Sequence, residues 1–223
     1  MRDFNAWALD RVLYSCSFLP SYELEDFVKS FAGKPYREIL KKLYPDSLNS
    51  LNQRDIDRLV AEEEKRAIER LTIEAKATVG TPQVLSSLRD DGVEYALVSN
   101  SSLQRLSACL SSAALTDYFP SEQIFSAHDS LPVPRPKPLP DIYLYAVKCL
   151  DAEVSDWVAV EDYLSGVRAA VAAGIGHIIG CVGGTHISEE ERSSRADNLQ
   201  SADPRQVIDR MHDLMGLFSA TPV

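Results

Sequence analysis

Four side chains in the second half of this 223-residue sequence have the types and spacing to hold a phosphorylated ligand: Ser99, Lys137, Glu161 and Asp162. Ser99 and Asn100 follow the apolar run YALV (95–98), Lys137 stands between Pro136 and Pro138, and Glu161 and Asp162 follow WVAV (157–160). A hydroxyl with an amide, a held ammonium and a paired carboxylate suit a phosphate with Mg²⁺. Hard carboxylate oxygens take the metal, while the ammonium and the hydroxyl neutralise phosphate oxygens. Each element also has an ordinary structural explanation. Ser-Asn-Ser-Ser after a strand is a common helix N-cap, a lysine between prolines commonly faces solvent, and adjacent acids suit a helix N-terminus. What raises them above those explanations is their order at successive strand ends, where open parallel sheets bind ligands.

The elements that must position them follow from hydrophobic period. From Met1 to about Ala77 apolar residues recur at helical spacing, among them Trp7, Val12, Leu24, Phe27, Ile39, Leu40, Leu59 and Val60, with breaks at Pro20, at Gly33 to Pro35 and around Pro45 to Asn52. The run EEEKRAIERL predicts a charged, solvated helix face. After Gly80 the rhythm changes to short β-type runs, each followed by a helical one. YALV precedes a helix from about Leu103 to Leu115, IFSA (124–127) a helix from about Pro140 to Leu150, and WVAV a helix from about Ser165 to Ala173, before HIIGCV (177–182). Continuous apolar runs predict strands buried on both faces, and βα repeats predict a parallel, doubly wound sheet. The chain is thus read as α/β, with a helical domain over 1–77 and an α/β domain over 78–223.

Composition excludes other classes. Against 23 Lys+Arg stand 33 Asp+Glu, so 23 − 33 gives a net charge of −10, and the pI is near 4.9. That disfavours a nucleic-acid partner. No stretch of about 18 uninterrupted apolar residues and no secretory layout at the N-terminus occurs, so the protein is expected to be cytoplasmic, without a membrane association. Cys16, Cys109, Cys149 and Cys181 are far apart, which argues against thiolate metal sites and a disulfide framework. GIGHIIG (174–180) follows a helix and leads into a strand, the reverse of a dinucleotide fingerprint. It predicts a helix C-cap and a tight entry to the next strand.

The same segments resemble the haloacid dehalogenase-like hydrolase superfamily, in particular its capped phosphoglucomutase-like and sugar-phosphate phosphatase subgroup. VSNSS (98–102) looks like the second motif of that family, PKPLPDIYLYA (136–146) like the third and VAVEDYLSGVRAAVAAGI (158–175) like the fourth. The resemblance implies a Rossmann-like core with a helical cap, with Ser99 and Lys137 gripping the phosphoryl group, Asn100 beside it, and Glu161 and Asp162 binding Mg²⁺. FAGKPYREIL (31–40) is similar to the cap segment that faces the substrate, which implies roles for Gly33, Lys34 and Arg37 in choosing a small phosphorylated substrate. Tyr163 departs from the pattern, since the family commonly has Ser after the acidic pair. His186, in GGTHIS (183–188), is read as a surface residue.

A larger departure lies at the start. The family's first strand ends in Asp-x-Asp, whose first Asp forms an aspartyl phosphate and whose second is general acid and base. WALDRVLYS (7–15) would put Ala8 at the nucleophile and Asp10 at the acid–base position, but it reads as helix and lies too close to Gly33. The chain is therefore expected to begin inside the first cap helix, as a truncated form of a longer phosphatase. Losing a central strand would leave its neighbours with unpaired backbone groups, each costing on the order of 1–3 kcal/mol. Three activities stay open: a Mg²⁺-dependent phosphatase in full-length form, a phosphomutase, and a non-catalytic protein that binds phosphorylated ligands or another protein; the oligomeric state is open too. Residues 1–223 alone are expected to release negligible phosphate from sugar phosphates, and Mg²⁺-dependent release that disappears in Asp162→Ala contradicts this.

Overall fold

The computed structural model describes residues 36–45 and 51–218. The chain divides into two compact units, Met1–Ala75 and Lys76–Val223. In the first, the helical spacing becomes α1 (Tyr36–Leu43) and α2 (Gln53–Glu74). Asn52 caps α2 by accepting the Asp55 N–H at 3.1 Å, which satisfies one of the orphan donors of the first turn. Ile39 and Leu40 are buried beside Leu43, Leu59 and Val60. The charged run on α2 carries i,i+4 ion pairs, Arg66 with Glu62 and Arg70 with Glu74, both at 2.6 Å. It is not wholly the solvated face its composition predicts, because Glu63 and Ala67 are buried within it.

In the second unit helices and strands alternate: α3 (Thr81–Asp90), β1 (Leu97–Ser99), α4 (Leu103–Ser112), β2 (Ile124–Ser126), α5 (Asp141–Cys149), β3 (Val158–Glu161), α6 (Leu164–Ala173), β4 (His177–Cys181), α7 (Glu189–Gln200), β5 (Gln206–Ile208) and α8 (Asp213–Phe218). Every strand pair is parallel. Helices cover both faces of the sheet, as in a doubly wound α/β fold. Ile178 packs with Val167 and Ala170 of α6 and Leu199 of α7. Its neighbours Ile179 and Cys181 pack with Val84 and Leu88 of α3, Ile208 of β5 and Leu214 of α8. The two-residue period of a strand sends alternate side chains to opposite layers. Gly174 ends α6 in the left-handed conformation, φ 80°, as its sequence context predicts. Gly176 enters β4 so close to Ser155 that a Cβ would lie 1.8 Å from its carbonyl oxygen. No helix among the described residues is long and apolar enough to cross a membrane.

Among the described residues the strands form two sheets, β1-β2 and β3-β4-β5. The central strand β4 is buried from Ile178 to Cys181. The strands that lead to the candidate site differ. Leu97 and Val98 of β1 and Val158 and Val160 of β3 are only half-buried, although YALV and WVAV predict burial on both faces. Each of these two strands pairs along one edge with a described strand, β1 with β2 and β3 with β4.

Candidate active site

The loop after β1 begins with Ser99, whose Oγ accepts the Ser101 N–H at 3.1 Å. The N-cap of α4 is Ser102, which accepts the Arg105 N–H, so the capping role falls on the last residue of the Ser-Asn-Ser-Ser run (99–102) and its neighbours serve other purposes. Asn100 reaches Lys137. Its Oδ1 accepts the Lys137 N–H at 2.8 Å and its Nδ2 donates to the Lys137 carbonyl at 3.3 Å. This reciprocal clamp fixes the backbone of the proline-flanked lysine against the end of β1. Ser126, fully buried at the end of β2, holds the same region by donating to the Ser101 carbonyl at 2.8 Å and accepting the Asp129 N–H at 3.0 Å. Asp129 in turn accepts the Leu103 N–H at 2.6 Å, at the start of α4.

Lys137 is 8% exposed. Its ammonium donates to the Val98 carbonyl of β1 at 2.9 Å, to Glu161 Oε1 at the end of β3, and to Tyr143 Oη at 3.5 Å. It also stands 4.8 Å from the centre of the Tyr143 ring. Tyr143 Oη donates to the same Glu161 oxygen. A buried ammonium is tolerated only when its charge is matched and its protons are taken, and here both conditions are met. The other Glu161 oxygen rests against Gly166 of α6, where a Cβ would lie 1.8 Å from Oε2. The absent side chain at Gly166 is what lets the carboxylate turn inward.

Asp162 faces elsewhere. Its side chain is 40% exposed, and its Oδ2 lies 3.2 Å from His186 Nε2. The His186 ring stacks on Tyr163 with the ring centres 5.7 Å apart, and the Arg195 guanidinium of α7 lies 4.7 Å from the Tyr163 ring centre. The ring at position 163 is thus accommodated by stacking, and His186, expected at the surface, has a side chain only 14% exposed. Burial pushes the Tyr163 hydroxyl above its usual range. Glu161 and Asp162 line a cavity with Thr78, Val160, Cys181, Gly184 and Met211.

Magnesium requires several hard oxygen donors. One Glu161 oxygen is held by Lys137 and Tyr143 and the other rests beside Gly166 of α6, while Asp162 Oδ2 faces His186 Nε2 at 3.2 Å. Among the described residues no three His, Cys, Asp or Glu side chains gather into a metal site. Within the described residues the acidic pair divides into an ion-pair partner, Glu161, and a half-exposed carboxylate at the cavity, Asp162, which keeps a hard oxygen donor in reach of a cation.

Of the sequence-predicted residues, the structure brings Ser99, Asn100, Lys137 and Glu161 to one rim, with Asp162 beside it. Arg37 belongs to the first unit, where its guanidinium pairs with Asp57 of α2. That hydrogen bond, followed by one from Gln53, holds the Asp57 carboxyl below its ordinary value. Gly33 and Lys34 lie outside the described residues, as do Ala8 and Asp10. Sequence reasoning missed Tyr143 and Ser126. For Tyr143 a signal exists, since it sits in the first turn of the helix that Pro140 opens, directly after the lysine loop.

The family model for haloacid dehalogenase-like hydrolases matches residues 8–179. The chain is 31% identical over 163 residues to the phosphorylated carbohydrates phosphatase of Thermotoga maritima, covering 71% of this chain and 69% of that protein. It is 33% identical over 95 residues, 42% of this chain, to SUPPRESSOR OF QUENCHING 1 of Arabidopsis thaliana. The chain spans 8% of that Arabidopsis protein and 45% of the Bacillus subtilis protein YhcW. Among solved structures, a conserved haloacid dehalogenase-like protein of unknown function from Agrobacterium tumefaciens superposes with a TM-score of 0.72 at 30% identity, covering 98% of this chain and 92% of that one.

Burial pushes the Tyr143 hydroxyl well above its usual range, and the Glu161 charge, the Glu161 hydrogen bond and the Asp162 charge act in the same direction. Its folded-state pKa is thus above the unfolded value near 10, so its contribution to stability is complete below about pH 10 and is lost as pH rises beyond it. Unfolding free energy, followed by urea titration, is expected to fall above about pH 10, and Tyr143→Phe to reduce that alkaline fall while removing about 1–2 kcal/mol at neutral pH. An alkaline fall unchanged in Tyr143→Phe contradicts the assignment.

Proposed function

The chain belongs to the haloacid dehalogenase-like hydrolase family, and from that premise we infer that it serves a phosphatase acting on a small phosphorylated carbohydrate. The observation that carries this reading is the ammonium of Lys137, buried at the rim of β1 and β3 and clamped to the Ser99–Asn100 loop through Asn100. Two of its protons are held by Val98 and Glu161. The third faces Tyr143 Oη at 3.5 Å, the longest of the three contacts, and is the one a phosphoryl oxygen can take without opening the other two. Among the described residues the Ser99 hydroxyl serves as an acceptor for the Ser101 N–H and keeps its proton for a second phosphoryl oxygen. Donors fixed before the ligand arrives stabilise developing charge without reorganisation.

In this reading the phosphoryl group passes to an aspartate carboxylate and then to water. None of the described residues is assigned the nucleophile. Mg²⁺ belongs to the proposal through Asp162, the outward carboxylate, and would supply charge neutralisation at the phosphate when bound. Glu161 orients Lys137, and Asn100 acts through the lysine backbone. Gly33, Lys34 and Arg37 remain the proposed substrate-selecting residues of the cap. The name of the Thermotoga maritima relative supports a phosphorylated carbohydrate as the substrate class. A phosphatase and a phosphomutase share these residues, and the relative's name favours the first.

A second reading has its own observation. Lys137 and Glu161 neutralise each other, so the rim could be a structural tie in a protein that binds a phosphorylated ligand without turning it over. One experiment separates the two. The protein as its own source makes it is assayed for Mg²⁺-dependent phosphate release from a panel of sugar phosphates, alongside calorimetric binding of the same compounds. The phosphatase reading expects release that falls at least roughly a hundredfold in Ser99→Ala and in Lys137→Met. Binding that depends on Lys137 with no release establishes the non-catalytic reading, and neither binding nor release overturns both.

A further inference from the structure

The loop that follows β4 is short and fixed at both ends. Val182 is fully buried and donates its N–H to the Ile208 carbonyl at 3.0 Å, and Ile187 is buried in the same cluster as Val182. Between them the Ile187 N–H donates to the Gly184 carbonyl at 3.0 Å, which closes a turn around Thr185 and His186. Ser188 then caps α7 in a reciprocal box with Glu191. Little freedom is left to the imidazole that this turn carries. One face of the ring lies on Tyr163, the two planes 9° apart. Its edge fills the space that a side chain at Gly184 would need, since a Cβ there would lie 2.7 Å from Cε1 and 2.9 Å from Nδ1. What remains is the Nε2 corner. That atom is buried and faces Asp162 Oδ2 at 3.2 Å, within reach of a hydrogen bond but not aligned as one, and among the described residues it has no other partner. A buried ring nitrogen left unbonded is costly, and a small rotation of the carboxylate recovers the bond.

We propose that His186 is a positioning residue for Asp162: it donates its Nε2 proton to Oδ2, so that Oδ1 is the oxygen left to a cation at the cavity. A partly exposed carboxylate turns broadly about its last torsion unless one oxygen is held. The imidazole supplies that hold from a ring that cannot itself move far. On the backbone side Arg195 Nη1 donates to the Asp162 carbonyl at 3.5 Å, so α7 and the loop before it reach both the main chain and the side chain of this residue. A direct role of His186 toward a ligand is disfavoured by the same geometry, because Nε2 is buried against Asp162 and Nδ1 lies against Gly184. Removing a hydrogen-bond partner of a ligating carboxylate typically lowers metal affinity about 10–100-fold. For this consequence the inference rests on the reading of Asp162 as the cation-binding carboxylate, whereas the contact itself rests on the cluster alone.

Two measurements on the 223-residue chain test it. With isotope-labelled histidine, proton–nitrogen correlation spectra are expected to show the His186 Nε2 proton, which exchanges with water too fast to be seen unless it is bonded, and to lose it in Asp162→Ala. Binding of Mn²⁺, the metal alone, is followed by electron paramagnetic resonance in two further variants. His186→Phe keeps a ring to stack on Tyr163 and loses the donor, while His186→Gln loses the ring and keeps a donor. Positioning predicts that Mn²⁺ binds at least about tenfold more weakly to the Phe variant and within about threefold of the unaltered affinity to the Gln variant. A role in packing alone gives the reverse order, and that result overturns the inference. So does a missing Nε2 proton signal in the unaltered chain, or one that persists unchanged in Asp162→Ala. Should the position 186 variants unfold in urea titration, the proton signal decides by itself. An Nε2 proton that depends on Asp162 in a chain that binds no Mn²⁺ upholds the contact and overturns only the reading of Asp162 as a cation ligand.

Discussion

A single desolvated charge organises the second unit. The Lys137 ammonium is taken out of water, a transfer that would cost several kcal/mol if it were left unpaired, and Glu161, Val98 and Tyr143 meet its protons. Other features are conditions for that contact. Asn100 clamps the lysine backbone, Gly166 leaves room for the carboxylate to turn inward, and α5 delivers Tyr143 from the turn that Pro140 opens. Because Val98 belongs to β1 and Glu161 to β3, the contact also crosses between the two sheets. The rim on which the family's chemistry is expected is thus held together by its own cation.

The division of the acidic pair follows from the same contact. Adjacent residues at the end of a strand point to opposite sides, so Glu161 and Asp162 cannot both address one point without a change in backbone direction. The interior cation captures the first, and the second is left at the cavity beside His186. On a chain of net charge −10 the positive potential at the rim is local rather than global, and the clamped Lys137 beside the Ser99–Asn100 loop is its source.

Much of the fold was legible in the sequence because burial leaves a periodic trace. The alternation of YALV, IFSA, WVAV and HIIGCV with helical runs located β1 to β4, and Gly174 announced its own cap. Besides α3, whose Val84, Leu85 and Leu88 are buried, what escaped was short or polar. β5 is three residues long, and α7 presents EEERSSRADNLQ, with Leu199 as its buried residue, so neither carries enough apolar period to be recognised. Residue type also located Ser99, Lys137 and Glu161, but not their partners. Nothing in a spacing pattern says which way a carboxylate turns, and the clamp from Asn100 joins residues 37 positions apart. The half-exposure of β1 and β3 inverted a sound expectation, since their runs have the apolar content of interior strands and lack described neighbours on one side.

The central claim is that Lys137 and Glu161 form a strongly coupled buried pair. A double-mutant cycle with Lys137→Met and Glu161→Gln, read by urea unfolding at neutral pH, isolates their interaction from the rest of the site. The account predicts a coupling of about 2–5 kcal/mol, with the double variant more stable than either single one. A coupling below about 0.5 kcal/mol, the size of an exposed surface pair, would contradict it.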